Sequence, residues 1–144
     1  MGNNNQPPKV AVISAVLGKG GVPAPNHVVQ TMPVSYFFFN DDNFPPRIKA
    51  MTPKLQTKIV KMFAWQMVPN FDYYLWVEDR LQDLNTVKNF LDTKREFVFQ
   101  SCDLFMYKNI PIVQEMFKEW WYLTSRYNIE DDLAFSRALS QFKL

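Results

Sequence analysis

The sequence has one cysteine, one histidine, four glycines and almost no net charge, and these shortages exclude several classes of protein. Cys102 has no second cysteine to pair with, so an intramolecular disulfide is excluded and nothing points to an oxidising compartment. Sixteen basic against 14 acidic side chains give a net charge of +2, which is too balanced to indicate nucleic-acid binding. No apolar run approaches the roughly 20 residues of a membrane-spanning helix. We therefore expect a soluble, cytoplasmic protein.

Apolar and aromatic residues, by contrast, are abundant. Of the 144 residues, 47% are hydrophobic and 16% are aromatic, which excludes disorder for most of the chain and allows one substantial core. The first eight residues are polar and lack the apolar segment of a signal peptide. We therefore expect a disordered tail over 1–8 and a single domain over 9–144.

Strand and helix patterns alternate along the chain. Continuous β-branched or aromatic runs predict buried strands, and apolar residues at helical spacing predict helices between them. This alternation indicates an α/β fold with a mostly parallel central sheet flanked by helices. The predicted strands are 9–17, 34–41, 72–77, 96–100 and 103–108, and the predicted helices are 53–67, 83–91, 110–127 and 131–142.

Polar residues follow three of the predicted strands. The first strand is followed by "GKGG", the second by "NDDN" and the third by "EDR". In open α/β sheets, ligands bind beyond the carboxyl ends of the strands, so these three loops are candidates for a site. The glycine loop lacks the spacing of a phosphate-binding P-loop, and Asn and Asp are also common in turns.

Glu78 and Asp79, directly after the aromatic strand, are the strongest single feature. Carboxylates at a sheet edge could bind a hard cation, which would in turn neutralise a diphosphate. The alternative is that Asp79 or Asp83 caps the helix that begins nearby. The sequence leaves both open.

A basic segment precedes that strand. It contains five cations and no acid between residues 47 and 61, namely Arg47, Lys49, Lys54, Lys58 and Lys61. Within the predicted helix 53–67, the apolar stripe is expected to run through Leu55, Ile59 and Met62, with the lysines on another stripe. A phosphorylated ligand would suit this charge, and a solvated helix face is the alternative.

Two further groups are ambiguous. Glu130, Asp131 and Asp132 begin the last predicted helix, where the helix dipole favours acids, although Asp131 could also act as a general base. His27, the lone histidine, is expected to be a solvent-exposed loop residue.

Three segments carry a resemblance to a known family. "KVAVISAVLG", "RIKAMTPKLQTKIVKMFAWQMVPNFDYYLWVED" and "VQEMFKEWWYLTSRYNIEDDLAF" are similar to nucleotide-sugar glycosyltransferases of the GT-A type. The chain also resembles glycosyltransferases encoded by chlorella viruses, which would place it in the host cytoplasm. The resemblance covers most of the chain from Lys9 to Phe135.

The resemblance implies roles for particular residues. Ser14 and Ala15 would lie near the nucleotide, and Arg47, Lys58 and Lys61 would face its base or diphosphate. Glu78 and Asp79 fall on the family's metal-binding motif, which implies Mn²⁺ or Mg²⁺. Asp131 falls on the acid that serves as catalytic base or acceptor-binding residue.

The chain departs from the family pattern at two places. Arg80 follows the two acids, and its guanidinium could weaken metal binding or replace the metal's charge. Several dozen residues that the family carries between "REFVFQ" and "SCDLFMYKN" are missing. The expected function is transfer of a sugar from a nucleotide-diphosphate donor, with UDP favoured, to a glycan or other hydroxyl acceptor. The alternative is a catalytically impaired module that binds a nucleotide-sugar or glycan.

Overall fold

The computed structural model describes residues 7–45, 51–127 and 131–142. Each predicted strand and helix is found within this part of the chain, in the order β-β-α-β-α-β-β-α-α. The strands are β1 (Val10–Ala15), β2 (Ser35–Phe39), β3 (Tyr73–Val77), β4 (Phe97–Ser101) and β5 (Leu104–Lys108). The helices are α1 (Pro53–Met67), α2 (Thr86–Asp92), α3 (Pro111–Tyr127) and α4 (Asp131–Phe142).

The five strands form one sheet in the order β2-β1-β3-β5-β4. β1 is parallel to β2 and β3, whereas β5 is antiparallel to both β3 and β4. The α/β prediction is confirmed, but the prediction of a mostly parallel sheet is wrong, because the sheet is mixed. Only Cys102 and Asp103 separate β4 from β5. Two residues can close an antiparallel hairpin, whereas a parallel pair needs a crossover of a dozen residues or more.

Each face of the sheet carries a hydrophobic core. The first core lies under α1, α3 and α4 and includes Ile13, Trp76 and Phe105. The second core lies on the opposite face and includes Val12 and Leu75, with part of α2. Alternate residues of β1 and β3 therefore enter different cores, which is why both strands read as continuous apolar runs.

α1 begins and ends where the sequence predicts. Thr52 is the N-cap, and its side chain accepts a hydrogen bond of 3.2 Å from the Leu55 amide. Pro53 takes the first turn, where its missing N–H costs nothing. Local signals therefore fix both the start and the direction of this helix.

The predicted buried stripe of α1 is wrong in part. Met62 is buried, but Leu55 and Ile59 are only half-buried. The row that packs against the sheet instead includes Gln56 and Val60, each shifted by one position from the predicted residue. Side chains on a helix lean towards its N-terminus, so the residues that cover the sheet lie about one position later than the simple pattern predicts. The backbone at Phe63 is also non-helical, which changes the direction of the last part of α1.

α3 supplies most of the aromatic packing. Phe117 and Trp120 are both fully buried, and their ring centroids lie 5.6 Å apart. Phe117 also packs on Tyr107 with a centroid separation of 4.4 Å, and Trp120 packs on Phe105 at 5.7 Å. Trp120, the first of two adjacent tryptophans, is therefore part of the core.

Some predictions concern residues that the structure does not describe. Residues 1–6 of the predicted tail and Arg47 lie outside the described ranges. Within those ranges, no helix combines the length and the apolar character needed to cross a bilayer.

The first prediction concerns the aromatic core. Phe117→Ala should lower the free energy of unfolding by about 3–5 kcal/mol, because it removes a fully buried ring and leaves a cavity. Ile112→Ala in the same helix is the control, since Ile112 is 42% exposed, and it should cost less than about 1 kcal/mol. Urea denaturation measures both values. Equal losses for the two variants would contradict this packing.

Candidate functional site

The carboxyl ends of β1, β2 and β3 meet at one edge of the sheet. Ala15 pairs with Phe39 in the parallel β1–β2 ladder, and Ile13 pairs with Trp76 in the parallel β1–β3 ladder. The three loops that the sequence singled out therefore leave the sheet side by side, at what we call the carboxyl edge. β2 and β3 flank β1 on opposite sides, so the chain reverses its direction of travel across the sheet at β1. A crevice at such a reversal is where open α/β sheets bind ligands.

Ser14 and Ala15 are the last two residues of β1, and their side chains are buried on opposite faces of the sheet. Ala15 enters the first core, whereas Ser14 alternates with it and lies on the second face. Ser14 is only 2% exposed, and its Oγ has no hydrogen-bond partner among the described residues. A buried hydroxyl without a partner costs roughly 1–3 kcal/mol, so a hydrogen-bond partner such as an ordered water or a ligand group is expected here.

The glycine loop after β1 is held by the loop after β2. The Asp41 carboxylate accepts hydrogen bonds from the Gly18 amide at 2.8 Å and from the Gly20 amide at 2.6 Å. Both glycines have positive φ values, +83° and +77°, which favour glycine. These two amides point at an anion, as they would in a phosphate site, but the protein supplies that anion itself.

The segment after β3 presents Glu78, Asp79 and Arg80, which are all exposed. Neither Asp79 nor Asp83 caps α2. The helix begins at Thr86, its N-cap is Asn85, and that cap makes no side-chain hydrogen bond. The alternative that Asp79 or Asp83 caps α2 is therefore wrong, and capping does not explain why acids follow β3.

Glu78 and Asp79 are directed to different faces of the sheet. The Glu78 amide donates to the Asp103 carbonyl at 2.8 Å, which extends the β3–β5 pairing by one residue. Strand alternation therefore places Glu78 on the face of the first core, with Asp79 on the other. Asp103, in the hairpin turn between β4 and β5, brings a further acid to this edge. Its position at this edge follows from the antiparallel pairing of β5 with β3.

His27 occupies a position that the sequence does not predict. It is half-buried, which corrects the expectation of a solvent-exposed residue. Its Nδ1 accepts a hydrogen bond of 3.0 Å from the Leu81 amide, and its ring stacks on Tyr36 at 5.0 Å. Burial lowers the pKa of His27, and the nearby charge of Asp79 opposes that shift. His27 thus joins the loop after β1 to the segment that carries the two acids.

α1 brings lysines to the first face, but not equally. α1 starts at the carboxyl edge, where a Cβ on Gly18 would lie 2.7 Å from Pro53. Lys58 is half-buried on this helix, one and a half turns from its start. Lys61 is only 4% exposed, and its Nζ lies 5.5 Å from the ring centroid of Trp120. Lys58 is therefore better placed than Lys61 to reach a ligand at this edge.

Asp131 begins α4, which is described for its backbone but not for this side chain. α3 runs towards the carboxyl edge, because Phe117 packs on Tyr107 and Trp120, one turn later, packs on Phe105. α4 follows α3 after three residues and packs back on it and on β4. The start of α4, and with it Asp131, therefore lies towards the same edge as Glu78.

The metal that the resemblance implies can be tested against these residues. Within the described ranges, no three His, Cys, Asp or Glu side chains are grouped closely enough to hold a metal ion. A cation that bridges a diphosphate needs only one or two protein carboxylates, since phosphate oxygens and water complete its shell. Glu78, on the same face as α1, fits that smaller role, whereas Asp79 is directed to the other face, so the two acids do not form a metal site built from protein ligands alone.

No protein-family model, curated protein or solved structure matches this chain. A functional proposal therefore rests on the residues of the carboxyl edge together with the resemblance of the sequence.

The second prediction concerns the glycine loop. Asp41→Ala should lower the free energy of unfolding by about 1–2 kcal/mol, because two amides lose a charged acceptor. Hydrogen exchange at Gly18 and Gly20 should become faster. Asp42→Ala is the adjacent control and should leave exchange at Gly18 and Gly20 unchanged. Protected Gly18 and Gly20 amides in Asp41→Ala would show that the loop is held by something else.

The third prediction concerns the pH dependence of stability. The folded pKa of His27 lies below the unfolded value of 6.5, so the unfolded chain binds the proton first as the pH falls. The stability associated with His27 should therefore be complete above pH 6.5 and decrease as the pH falls towards the folded pKa.

The measurement compares urea midpoints at about pH 8 and about pH 5. His27→Asn retains a hydrogen-bond acceptor near Nδ1 but does not titrate, so this variant should lose less stability on acidification than the wild type. An identical loss in both proteins would show that His27 does not contribute to it.

Proposed function

We propose that this chain is a glycosyltransferase that moves a sugar from a nucleotide-diphosphate donor, with UDP favoured, to a glycan or other hydroxyl acceptor. One observation carries the proposal. The parallel pairing of β1 with β2 and β3 places the ends of β1 and β3 together at the point where the chain reverses across the sheet. Nucleotides bind at such points in open α/β sheets, and the GT-A resemblance of the sequence agrees with this position.

The donor would be bound between the end of β1 and the end of β3. The unpartnered Ser14 hydroxyl would provide one polar contact to the nucleotide, with Ala15 beside it. Lys58 on α1 and Arg80 after β3 provide positive charge for the diphosphate, and Arg47 would add to it. Charge-assisted hydrogen bonds to phosphate are about twice as strong as neutral ones.

Glu78 would hold Mn²⁺ or Mg²⁺ against the diphosphate on the face of α1, and Asp79, the other acid of the implied metal motif, would lie beside it on the opposite face. When bound, the cation offsets the negative charge that develops on the leaving diphosphate. Arg80 and Lys58 can offset part of that charge without a cation. Lys61, buried over Trp120, would support the helix wall behind the diphosphate.

The chemical step needs a base for the acceptor. The acceptor oxygen forms a bond to the anomeric carbon, the bond from that carbon to the diphosphate breaks, and the acceptor proton moves to a carboxylate. We assign that carboxylate to Asp131, because α4 starts towards the carboxyl edge.

A second function, binding of a nucleotide-sugar or glycan without turnover, is favoured by the β4–β5 hairpin. The family's extra residues between these strands help to build the acceptor side. In this chain a two-residue turn takes their place, beside Glu78. The chain would then retain the part of a transferase site that binds the donor, but would lack much of the part that binds the acceptor.

The fourth prediction tests the site with UDP. UDP should raise the melting temperature in a saturable manner, because a ligand that binds only the folded state stabilises it. Dependence of the shift on Mn²⁺ supports a metal-assisted site, and a shift without metal supports charge compensation by Arg80. No shift under either condition would overturn the proposal.

The variant Glu78→Gln/Asp79→Asn removes two charges with little change in shape. It should weaken Mn²⁺-dependent UDP binding by at least about tenfold. The control is Glu96→Gln/Glu115→Gln, which removes two charges away from the carboxyl edge and should bind UDP as the wild type does. Turnover measured on a sugar donor and acceptor then separates the two functions, since the binding module binds UDP but transfers nothing.

A further inference from the structure

A hollow lies at the edge of the sheet opposite the carboxyl edge. A cavity of about 600 Å³ opens beside the amino ends of β1 and β3, on the face of the second core. Its volume falls within the roughly 300–1,000 Å³ of sites that bind small molecules. Tyr73, the first residue of β3, lines it, whereas the candidate donor site lies beyond Val77, the last. The cavity and the candidate donor site are therefore separated by the length of β3.

Backbone hydrogen bonds hold one wall of this cavity in place. The Lys9 amide donates to the Asp72 carboxylate at 2.8 Å, and the Asp72 and Tyr73 amides donate to the Lys9 carbonyl at 2.9 and 3.1 Å. These bonds hold Lys9, the residue after Pro8, beside the start of β3. The result is an apolar floor of two proline rings and a phenol.

The buried side chain of Gln30 holds the other wall. Its Nε2 donates to the Asp83 carbonyl at 2.8 Å, and its Oε1 accepts from the Val87 amide at 3.0 Å. The Thr31 amide donates to the Leu84 carbonyl at 2.8 Å, and the Thr31 hydroxyl donates to Asn85 Oδ1 at 3.0 Å. The cavity is therefore formed before any ligand binds, which lowers the entropic cost of binding.

The rim of the cavity is polar but has no net charge. Lys88 and Asp92 form an ion pair of 3.0 Å along α2, and both side chains are more than half exposed. They are the two charged residues among those that line the cavity. Asn85 adds amide N–H groups that have no hydrogen-bond partner among the described residues.

These features select one class of ligand. A phosphorylated ligand would meet the negative charge of Asp92 as well as Lys88, and a hydrocarbon would cover the polar rim without pairing its groups. An added peptide strand is excluded, because β3 is already paired on both sides. A neutral sugar ring suits both the apolar floor and the polar rim of the cavity. One face of such a ring presents C–H groups, and the edge of the ring carries hydroxyls that both donate and accept hydrogen bonds.

We propose that this cavity binds a neutral hexose ring of a glycan. The C–H face of the ring would pack on Tyr73, Pro7 and Pro8. Its hydroxyls would hydrogen-bond to Asn85, Lys88 and Asp92. This glycan site does not depend on the transferase activity, since none of its lining residues belongs to the carboxyl edge.

Ligand-observed NMR tests the site. The probes are the methyl glycosides of glucose, galactose and mannose, added to the full chain, with saturation transfer followed as a titration. At least one glycoside should receive saturation at its ring C–H protons. Lys88→Ala/Asp92→Ala should weaken this binding by about tenfold, through the loss of two charged hydrogen-bonding groups.

The matched control is Lys118→Ala/Glu115→Ala, an equally exposed ion pair of 2.8 Å on α3. It should bind the glycoside as the wild type does. Tyr73→Leu should also weaken binding, and if that variant fails to fold, the exposed Lys88–Asp92 pair decides the question.

Three results would overturn the proposal. They are no saturation transfer from any of the three glycosides, equal loss in the Lys88/Asp92 variant and its control, and displacement of the glycoside by UDP. Displacement by UDP would place the sugar at the carboxyl edge instead. Because UDP binding is measured separately by thermal shift, failure of the glycan site and failure of the proposed transferase site are distinguishable.

Discussion

The parallel pairing of β1 with both β2 and β3 is the constraint on which the rest of the structure depends. It sets the register that brings Ala15, Phe39 and Val77 to one edge, so that three loops from distant parts of the chain lie together. Because β1 is buried on both faces, its side chains can only pack, and polar functions are displaced to the strand ends. Ser14, the last residue but one of β1, is the one polar side chain within this buried strand.

Local signals predicted the helices well, because their causes are local. Thr52 and Pro53 fix the start of α1, and the acids before residue 132 mark the start of α4, so both predicted ranges agree with the structure. The prediction of a mostly parallel sheet misses the direction of β5, although the two residues between the predicted strands 96–100 and 103–108 suffice only for an antiparallel hairpin. That prediction follows the strand and helix pattern of the chain as a whole and not the length of this turn.

The candidate site was predictable only in its strand-end residues. Strand patterns place Glu78 and Asp79 at the carboxyl edge without any knowledge of their neighbours. The roles of Asp41 and His27 depend instead on contacts across 21 to 54 positions of sequence, where spacing carries no signal. For Lys61, the sequence predicts a ligand contact that the structure does not favour. Its charge suggested a ligand, but its stem and ammonium are buried against Trp120.

The glycine loop shows how the fold limits its own chemistry. Two left-handed glycines direct amides towards one point, which is how many proteins bind phosphate, yet Asp41 already occupies that point. A phosphate that displaced this carboxylate would have to replace two short hydrogen bonds and would leave Asp41 as a like charge nearby. We infer that an anion at this edge would be bound by side chains such as those of Lys58 and Arg80. In the proposed transferase, the diphosphate of the donor would therefore lie on the side formed by α1 and β3, away from the β1–β2 side.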